Sequence, residues 1–353
     1  MAQGWRGHEG GDGCLWGSRC LESRHIQPES IKRRRMFNLI VTALLPVFLV
    51  LALGYFAGRR KLVDNQNVSS LNVLLMQFAL PLTLFISIAK TPQSVIMQNG
   101  QLALLLALGL VIVYAIVGWM HRTIFGLSLS DAAVQTLTIA FPNFASIGLP
   151  LVLPIFGQQA SLSVAIAIAV GSVTISPMTL ALLDLDKARQ TDAGHSVSAV
   201  RQFLIALGHS VRKPIFVGPM LGLIVALLGI SLPTIVATAL GPITAATAGI
   251  GLFLTGLMLS AQVIKIDADV TFGTVVKNIV QPLLVFGLAR LFHFPATIAG
   301  QAALLTAIPA GFFGLVFGAS SGVRPPVAGA TLLVSSISSV VTLSIAIWLL
   351  APK

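Results

Sequence analysis

Two apolar segments, one in each half of the chain, contain residues that could bind a small molecule within a membrane. The first, residues 135–150, includes Pro142, Asn143 and Ser146; the second, residues 301–318, includes Pro309, Gly311 and Phe313. Proline removes a backbone donor and breaks a helix. A broken helix at membrane depth persists only when it is buried in protein or lines a wet cavity. Paired interruptions of this kind, one in each half, predict a transporter-like binding site.

The residue types at the breaks favour an anion. The N-terminal end of a half-helix exposes free N–H groups and a partial positive charge. Asn143 could bind a substrate carboxylate or hold the unwound backbone, while Pro142 and Pro309 would keep the breaks open. We expect Gly311 to let backbone amides approach the substrate, with Ser146 and Phe313 lining the site. The alternative for one segment alone is a proline kink in which Asn143 caps the new helix, and the matching break in the other half favours a site.

Four further residues are polar within apolar segments. Lys277 and Asp131 are ionisable, and an ionisable group in a membrane segment is a functional hypothesis by default, although both side chains could extend to the interface. We expect Lys277 to act on the anion path or at a domain interface and Asp131 to act in coupling. Thr83 and Ser172 are candidate substrate contacts, but small hydroxyls also serve helix packing.

The composition predicts an all-α integral membrane protein. The chain is 56% hydrophobic and 9% charged, against roughly 25% charged for a soluble domain. Segments of membrane-spanning length predict ten transmembrane helices, with broken crossover helices at spans four and nine. The ten spans are 37–57, 68–89, 101–122, 131–156, 160–183, 212–230, 237–262, 274–292, 296–320 and 325–350. They leave no room for a soluble catalytic domain, so we expect no enzyme activity. Residues 318–322 match Gly-x-Ser-x-Gly, but no strand precedes them, as a hydrolase would require.

The polar stretch 184–211 separates five predicted spans from five. Residues 36–183 and 212–353 are therefore predicted to be two repeats, inverted because each has an odd number of spans. Residues 1–35 are polar and Gly-rich, and they are either a disordered extension or sequence upstream of a true start at Met36. They hold both cysteines, to which no metal or disulfide role is assigned.

The positions of basic residues predict the orientation. With the N-terminus outside, twelve basic residues fall in inward loops and three in outward segments, as the positive-inside rule requires. Only the basic run 32–35 conflicts with this orientation, and a start at Met36 removes the conflict. The net charge of +11 thus reflects loop bias and predicts no nucleic-acid partner.

The motifs resemble those of the auxin efflux carrier family, which includes the plant PIN auxin carriers, and the resemblance covers residues 36–353. PIN carriers have Asn-Pro-Asn at the first crossover, where this chain has Phe141-Pro142-Asn143. On span five they have a Gln where this chain has Gly171-Ser172, which argues against auxin. The bacterial malonate transporter branch is the most similar, through Asp131-Ala-Ala-Val, Pro142-Asn143, Ser161-Leu-Ser-Val, Gly171-Ser172-Val and Ala310-Gly-Phe-Phe-Gly314.

The resemblance implies a secondary transporter of a small carboxylate, malonate or a related dicarboxylate, in a bacterial inner membrane. It also implies elevator-type alternating access, in which spans three to five and eight to ten move past spans one, two, six and seven. No cofactor is expected, and the coupling ion could be H⁺ or Na⁺. A homodimer is a further possible assembly. The alternatives are an auxin-like or other monocarboxylate efflux carrier, and a channel or sensory membrane module, although no charged ring or filter repeat is visible.

The predicted orientation can be tested by chemical labelling. We expect single cysteines placed in residues 184–211, in a background without Cys14 and Cys20, to be protected from an impermeant thiol reagent added to intact cells. Basic loops remain on the cytoplasmic side, so labelling should appear only after permeabilisation. Labelling of intact cells would reverse the orientation.

Overall fold

The computed structural model describes residues 29–65, 68–94, 99–157, 161–191, 212–261 and 265–350, together with 201, 204–205 and 208. These residues form helices, and their one isolated β-bridge pairs Pro142 with Ala310. Most of the predicted 1–35 extension lies outside the described residues. The first helix begins at Glu29 and therefore includes the basic run 32–35.

The described helices follow the apolar segments of the sequence. The first half contains α1 (Glu29–Arg59), α2 (Ser69–Ala89), α3 (Gly100–Thr123), α4 (Leu129–Ala140), α5 (Leu149–Phe156), α6 (Ser161–Val173) and α7 (Ile175–Thr191). The second half contains α8 (Pro214–Leu227), α9 (Thr234–Ser260), α10 (Ala268–Leu291), α11 (Ala296–Thr306), α12 (Phe313–Ser320) and α13 (Pro326–Leu350). The loop predicted at 184–211 begins as helix, because α7 continues to Thr191.

Six helices of the described chain are long and apolar enough to cross a membrane, namely α2, α3, the stretch Leu162–Arg189 formed by α6 and α7, α9, α10 and α13. Apolar helices of 10–17 residues occupy Leu45–Arg59 within α1, α8 and α11. Large apolar side chains such as Trp119, Leu283 and Trp348 are exposed on these helices, as lipid contact requires. The expectation of an all-helical, multi-pass membrane protein is confirmed. The count of ten spans stays a prediction, because α4, α5, α11 and α12 are each shorter than a bilayer-spanning helix.

Three π-helical turns among the described residues interrupt or precede helices, and each ends two residues before a proline. They are Leu74–Ala79 before Pro81, Phe144–Gly148 before Pro150, and Val276–Val280 before Pro282. A proline cannot donate to the carbonyl four residues earlier, and its ring clashes with that carbonyl. Widening the turn accommodates the ring without ending the helix, and such turns are frequent at functional sites.

The packing divides the helices into two groups. In the first group, α1 lies along α9 and α2 lies along α8. Glycines permit this closeness: a Cβ on Gly54 would lie 2.1 Å from Phe253 O, and one on Gly218 would lie 2.5 Å from Pro81 O. The second group places α4 against α3, α7, α12 and α13, and places α10 against α11 and α13. This second group contains both interrupted helices.

Helix α12 approaches α4 through two glycines, Gly314 and Gly318. A Cβ on Gly314 would lie 2.2 Å from Thr138 Oγ1 and 2.5 Å from Val134 O, and one on Gly318 would lie 2.8 Å from Val134 Cγ2. These two glycines thus let α12 pack directly against α4, the first interrupted helix.

We expect Gly314→Ala to destabilise the protein by about 1–3 kcal/mol, because the added methyl group would press on backbone atoms. The measurement is the midpoint of thermal unfolding in detergent. Gly287→Ala is the matched control, since an added Cβ at Gly287 on α10 meets no atom within 4 Å, and alanine favours a helix over glycine. Equal midpoints for the two variants would contradict the close packing of α12 on α4.

Candidate functional site

The two interrupted helices meet through their non-helical segments, residues 141–143 and 307–312, which we call the crossover. Helix α4 ends at Ala140 and α11 ends at Thr306. Asn143 N donates to Pro309 O at 3.0 Å, and Gly311 N donates to Thr138 O at 3.1 Å. The backbone groups that leave one helix are therefore satisfied in part by the other, as burial at membrane depth demands.

Gly311 makes this close crossing possible. A Cβ at this position would lie 2.2 Å from Phe141 O and 3.2 Å from the carbonyl carbon of Pro142, so any side chain would force the segments apart. The glycine was expected to admit a substrate to backbone amides. In this structure it admits the other crossover segment, and its own N–H is bound to Thr138 O.

Two side chains of α10 bind the ends of the interrupted helices. Lys277 Nζ donates to Thr306 O at 2.6 Å, at the end of α11, and Gln281 Nε2 donates to Ala140 O at 2.9 Å, at the end of α4. Lys277 Nζ also donates to Gln281 Oε1 at 2.7 Å. A cation at a helix C-terminus is favourable, because it meets unpaired carbonyls and the negative end of the dipole.

A third link comes from α13. Ser335 Oγ accepts from Ala310 N at 3.0 Å and donates to Asn278 Oδ1 at 2.7 Å, while Asn278 Nδ2 donates to Ser335 O at 2.9 Å. Helices α10 and α13 thus hold the second crossover segment between them. All three groups are buried, so each would be costly to leave unpaired.

The charge of Lys277 has no anionic partner among the described residues. The side chain is fully buried, and the oxygens that accept from its ammonium group are a backbone carbonyl and a side-chain amide. A buried charge is costly unless it is paired. A buried amino group with no anion beside it among the described residues therefore lies against the crossover, and a bound anion would favour its charged form.

Asn143 has an unused acceptor at the same place. The residue is 2% exposed, and its Oδ1 has no donor among the described residues. Ser172 Oγ is also buried and unpartnered, and the neighbouring Gly171 lies against the Phe141 ring, which would be 2.6 Å from a Cβ there. Buried polar atoms of this kind bind water or a ligand in most proteins.

A cluster of aromatic rings packs around the crossover. The Phe313 ring stacks on Phe141 at 4.7 Å and on Phe312 at 5.0 Å between centroids. Phe144 meets Phe141 at 5.8 Å edge to face, and Phe312 lies against Gly251 of α9. Phe313, predicted to line the site, is 1% exposed and in this structure is a packing residue between the two crossover segments.

The remaining predicted residues, Thr83, Asp131 and Ser146, lie outside the crossover. Thr83 Oγ1 donates to Ala79 O at 2.6 Å and shares a hydrogen bond of 2.7 Å with Thr247 Oγ1, which joins α2 to α9. Asp131 lies in the first turn of α4, where its backbone N donates to Ser128 Oγ at 3.0 Å, so it is not part of the crossover. Ser146 lies in the π-helical turn after Asn143, but its side chain is outside the described residues.

The sequence analysis did not identify Gln281, Asn278 or Ser335 as part of this arrangement. The available signal was the concentration of three polar residues at positions 277, 278 and 281 in an otherwise apolar helix. Polar side chains at membrane depth bind one another or backbone carbonyls, so their spacing could have predicted that α10 supports a break.

Comparison with known proteins identifies similar chains along nearly the whole length. Residues 39–348 match the family model described as "Membrane transport protein". The Escherichia coli (strain K12) protein named "Uncharacterized transporter YfdV" is 27% identical over 316 residues, which cover 87% of this chain and 96% of that protein. The Rhizobium meliloti (strain 1021) protein named "Putative malonate transporter" is 24% identical over 322 residues, covering 86% of this chain and 94% of that protein.

We expect Asn143→Ala to weaken anion binding by roughly one to two orders of magnitude, because a hydrogen bond to a charged group contributes about 1.5–3 kcal/mol. Folding should survive, since the backbone bond from Asn143 N to Pro309 O does not need the side chain. Malonate binding to purified protein, measured together with thermal stability, provides the test.

Asn65→Ala is the matched control for this variant. Asn65 Nδ2 donates to Ser260 Oγ at 2.7 Å, in the segment between α1 and α2, so its loss removes a hydrogen bond far from the crossover. Unchanged affinity in Asn143→Ala would make that asparagine a structural residue only.

Proposed function

The chain belongs to the membrane transport protein family, and from this premise we propose that it is a secondary active transporter of a small organic anion. Membership confirms the resemblance to the auxin efflux carrier family, and the protein is a multi-pass integral membrane transport protein. The proposed substrate is malonate or a related dicarboxylate, and the proposed location is a bacterial inner membrane.

The buried amino group of Lys277, which has no anionic partner among the described residues, is the observation that carries this proposal. This group lies at the end of α11, with neutral oxygens as hydrogen-bond partners. A carboxylate entering the crossover would pair with Lys277 and with the partial positive charge at the start of α12. A cationic substrate would meet repulsion at the same place.

The choice of a dicarboxylate has a separate support. One relative bears the name "Putative malonate transporter", and the crossover offers a short span of polar atoms inside a shell of phenylalanine rings. A small, compact anion suits such a site better than a large aromatic acid. The competing monocarboxylate hypothesis, an auxin-like efflux carrier, becomes one arm of the transport test.

We further propose that the protein has ten spans in two inverted five-span repeats and works by an elevator movement. The two packing groups support this, because α1, α2, α8 and α9 contact one another extensively while the crossover lies within the other group. The crossover and the helices packed around it would move as one body past the first group, with Phe312 sliding on α9 at Gly251.

Import would need coupling to an ion. Moving one charge through 100 mV involves about 2.3 kcal/mol, so bringing a dianion into a negative interior costs about 4.6 kcal/mol at that potential. A proton or a sodium ion carried in the same direction would offset part of this cost. Export of the same anion would be favoured by the potential alone.

Counterflow in proteoliposomes tests the proposal. Purified protein is reconstituted in vesicles loaded with unlabelled malonate, and entry of labelled malonate is followed against indole-3-acetate as the monocarboxylate arm. A carrier gives saturable malonate counterflow, whereas a channel gives flux without acceleration by internal substrate. Absence of counterflow for both acids would reject an anion carrier.

We expect Lys277→Met to reduce malonate affinity at least tenfold, since it removes the only charge that the described crossover offers to a carboxylate. Lys277→Arg keeps the charge and should retain part of the affinity. Lys90→Met is the control, because Lys90 is exposed at the end of α2. Unaltered affinity in Lys277→Met, with the fold intact by thermal unfolding, would separate the anion site from this lysine.

A further inference from the structure

A second buried polar cluster surrounds His121 and Asp269. It contacts α4 about one turn before that helix reaches the crossover. His121 is in the last turn of α3, Asp269 is in the first turn of α10, and His121 Nε2 lies 3.1 Å from Asp269 Oδ1. Their side chains are 0% and 8% exposed. The Phe125 and Phe272 rings lie 5.9 and 6.0 Å from the imidazole and shield it.

The pair and its neighbours come from four helices. His121 Nδ1 lies 3.0 Å from Thr136 Oγ1 of α4, and Gln135 Nε2 of α4 donates to Thr331 Oγ1 of α13 at 2.9 Å and to Asp269 Oδ1 at 3.4 Å. Two buried acceptors, Asp269 Oδ2 and Gln135 Oε1, have no donor among the described residues. His121 Nε2, although 3.1 Å from Asp269 Oδ1, likewise makes no hydrogen bond of good geometry.

This arrangement fits two protonation states. A threonine hydroxyl can accept from a protonated Nδ1 or donate to an unprotonated one, so Thr136 can bond His121 in either state. Both imidazole nitrogens can carry a proton, and histidine serves as a proton carrier in many proteins. A proton added to the pair would supply a donor where the described structure lacks one, and it would leave the buried aspartate electrically balanced.

A cavity of about 880 Å³ is lined by residues close to the pair in sequence. Its lining includes Asp131 and Asp267, which lie about one helical turn before Gln135 on α4 and two residues before Asp269 on α10. The cavity lies at the end of the bundle that the charge pattern predicts to be cytoplasmic. Other charged groups that line the cavity are Asp186 on α7, Lys265 before α10 and Arg324 before α13. Arg122 follows His121 in the last turn of α3, and further charged residues on these helices are Asp184, Lys187 and Arg189 on α7 and Lys277 and Arg290 on α10.

The pair is also connected to the crossover through α4. Gln135 and Thr136 lie about one turn before Ala140, where the helix ends. Gly273 of α10 fits against the same stretch, because a Cβ there would lie 2.8 Å from Ile139 Cδ1 and 3.3 Å from Gln135 Nε2. A change of charge at the pair would therefore act on the helix that presents Asn143.

We propose that His121 and Asp269 together bind the proton that crosses the membrane with the anion. The proton is taken from water on the side of higher proton concentration, resides on the pair while the substrate site is loaded, and returns to water on the other side. No bond of the substrate changes. This inference rests on the proposed function, and it assigns the coupling ion and its site. It also moves the coupling role from Asp131, at the cavity mouth, to the buried pair one turn deeper.

The test compares two transport modes of reconstituted protein. Accumulation of labelled malonate under an imposed inward proton gradient needs coupling, whereas malonate counterflow at equal pH does not need net proton movement. A pH-sensitive dye in the vesicle lumen reports proton entry with malonate. The variants are His121→Gln and Asp269→Asn, the second of which mimics a permanently protonated carboxyl group. Tyr114→Phe is the control, since Tyr114 is buried on α3 and shares a 2.8 Å hydrogen bond with Thr179 Oγ1.

We expect wild type and Tyr114→Phe to accumulate malonate with lumen acidification. Either pair variant should lose at least tenfold of gradient-driven accumulation while counterflow falls at most threefold. If Asp269→Asn fails to fold, His121→Gln decides the matter alone. Proton-driven accumulation of wild-type size in a folded His121→Gln variant, or accumulation driven by a sodium gradient alone, would overturn the inference and leave the carrier intact. Absence of wild-type counterflow would overturn the proposed function and this inference with it.

Discussion

The structure depends on how backbone groups are satisfied where two helices stop inside an apolar environment. Water cannot bind these groups at membrane depth, so the chain must do so. The two crossover segments exchange backbone bonds through Asn143 and Gly311, and side chains of α10 and α13 bind the carbonyls and amide that remain. The polar side chains that support the crossover are hydrogen-bonded, so the buried polar atoms without a partner among the described residues are the candidates for binding a ligand.

The polar residues around the crossover therefore fall into those that hold its backbone in place and those that could bind a ligand. Gln281, Asn278 and Ser335 are fully engaged with the backbone or with each other, so they preorganise the crossover. Lys277 belongs to both classes, because its hydrogen bonds are satisfied but its charge is not. The stacked phenylalanine rings form a rigid apolar wall that does not compete for hydrogen bonds. An anion would then be recognised by one buried charge and by oriented dipoles, with little rearrangement of the protein.

The sequence predicted where the helices break, but not which side chains bind the broken ends. Pro142 and Pro309 indicate breaks because proline chemistry is local, and the apolar lengths indicate helices for the same reason. The bonds from Gln281 to Ala140 and from Ser335 to Ala310 join residues far apart in the chain, and no local pattern specifies them. His121 and Asp269 were missed because each lies at a helix end, where a lone polar residue is ordinarily interfacial. The contact of Thr83 with Thr247 likewise depends on packing between α2 and α9.

The exchange of backbone bonds at the crossover has a consequence for synthesis of the protein. Asn143 enters the membrane more than 160 residues before Pro309 leaves the ribosome, and until then its N–H lacks the acceptor that it has in the finished fold. Until the second half is inserted, the backbone after α4 lacks part of its hydrogen bonding. We therefore expect the first crossover segment to reach its final hydrogen bonding only after the second half has been inserted.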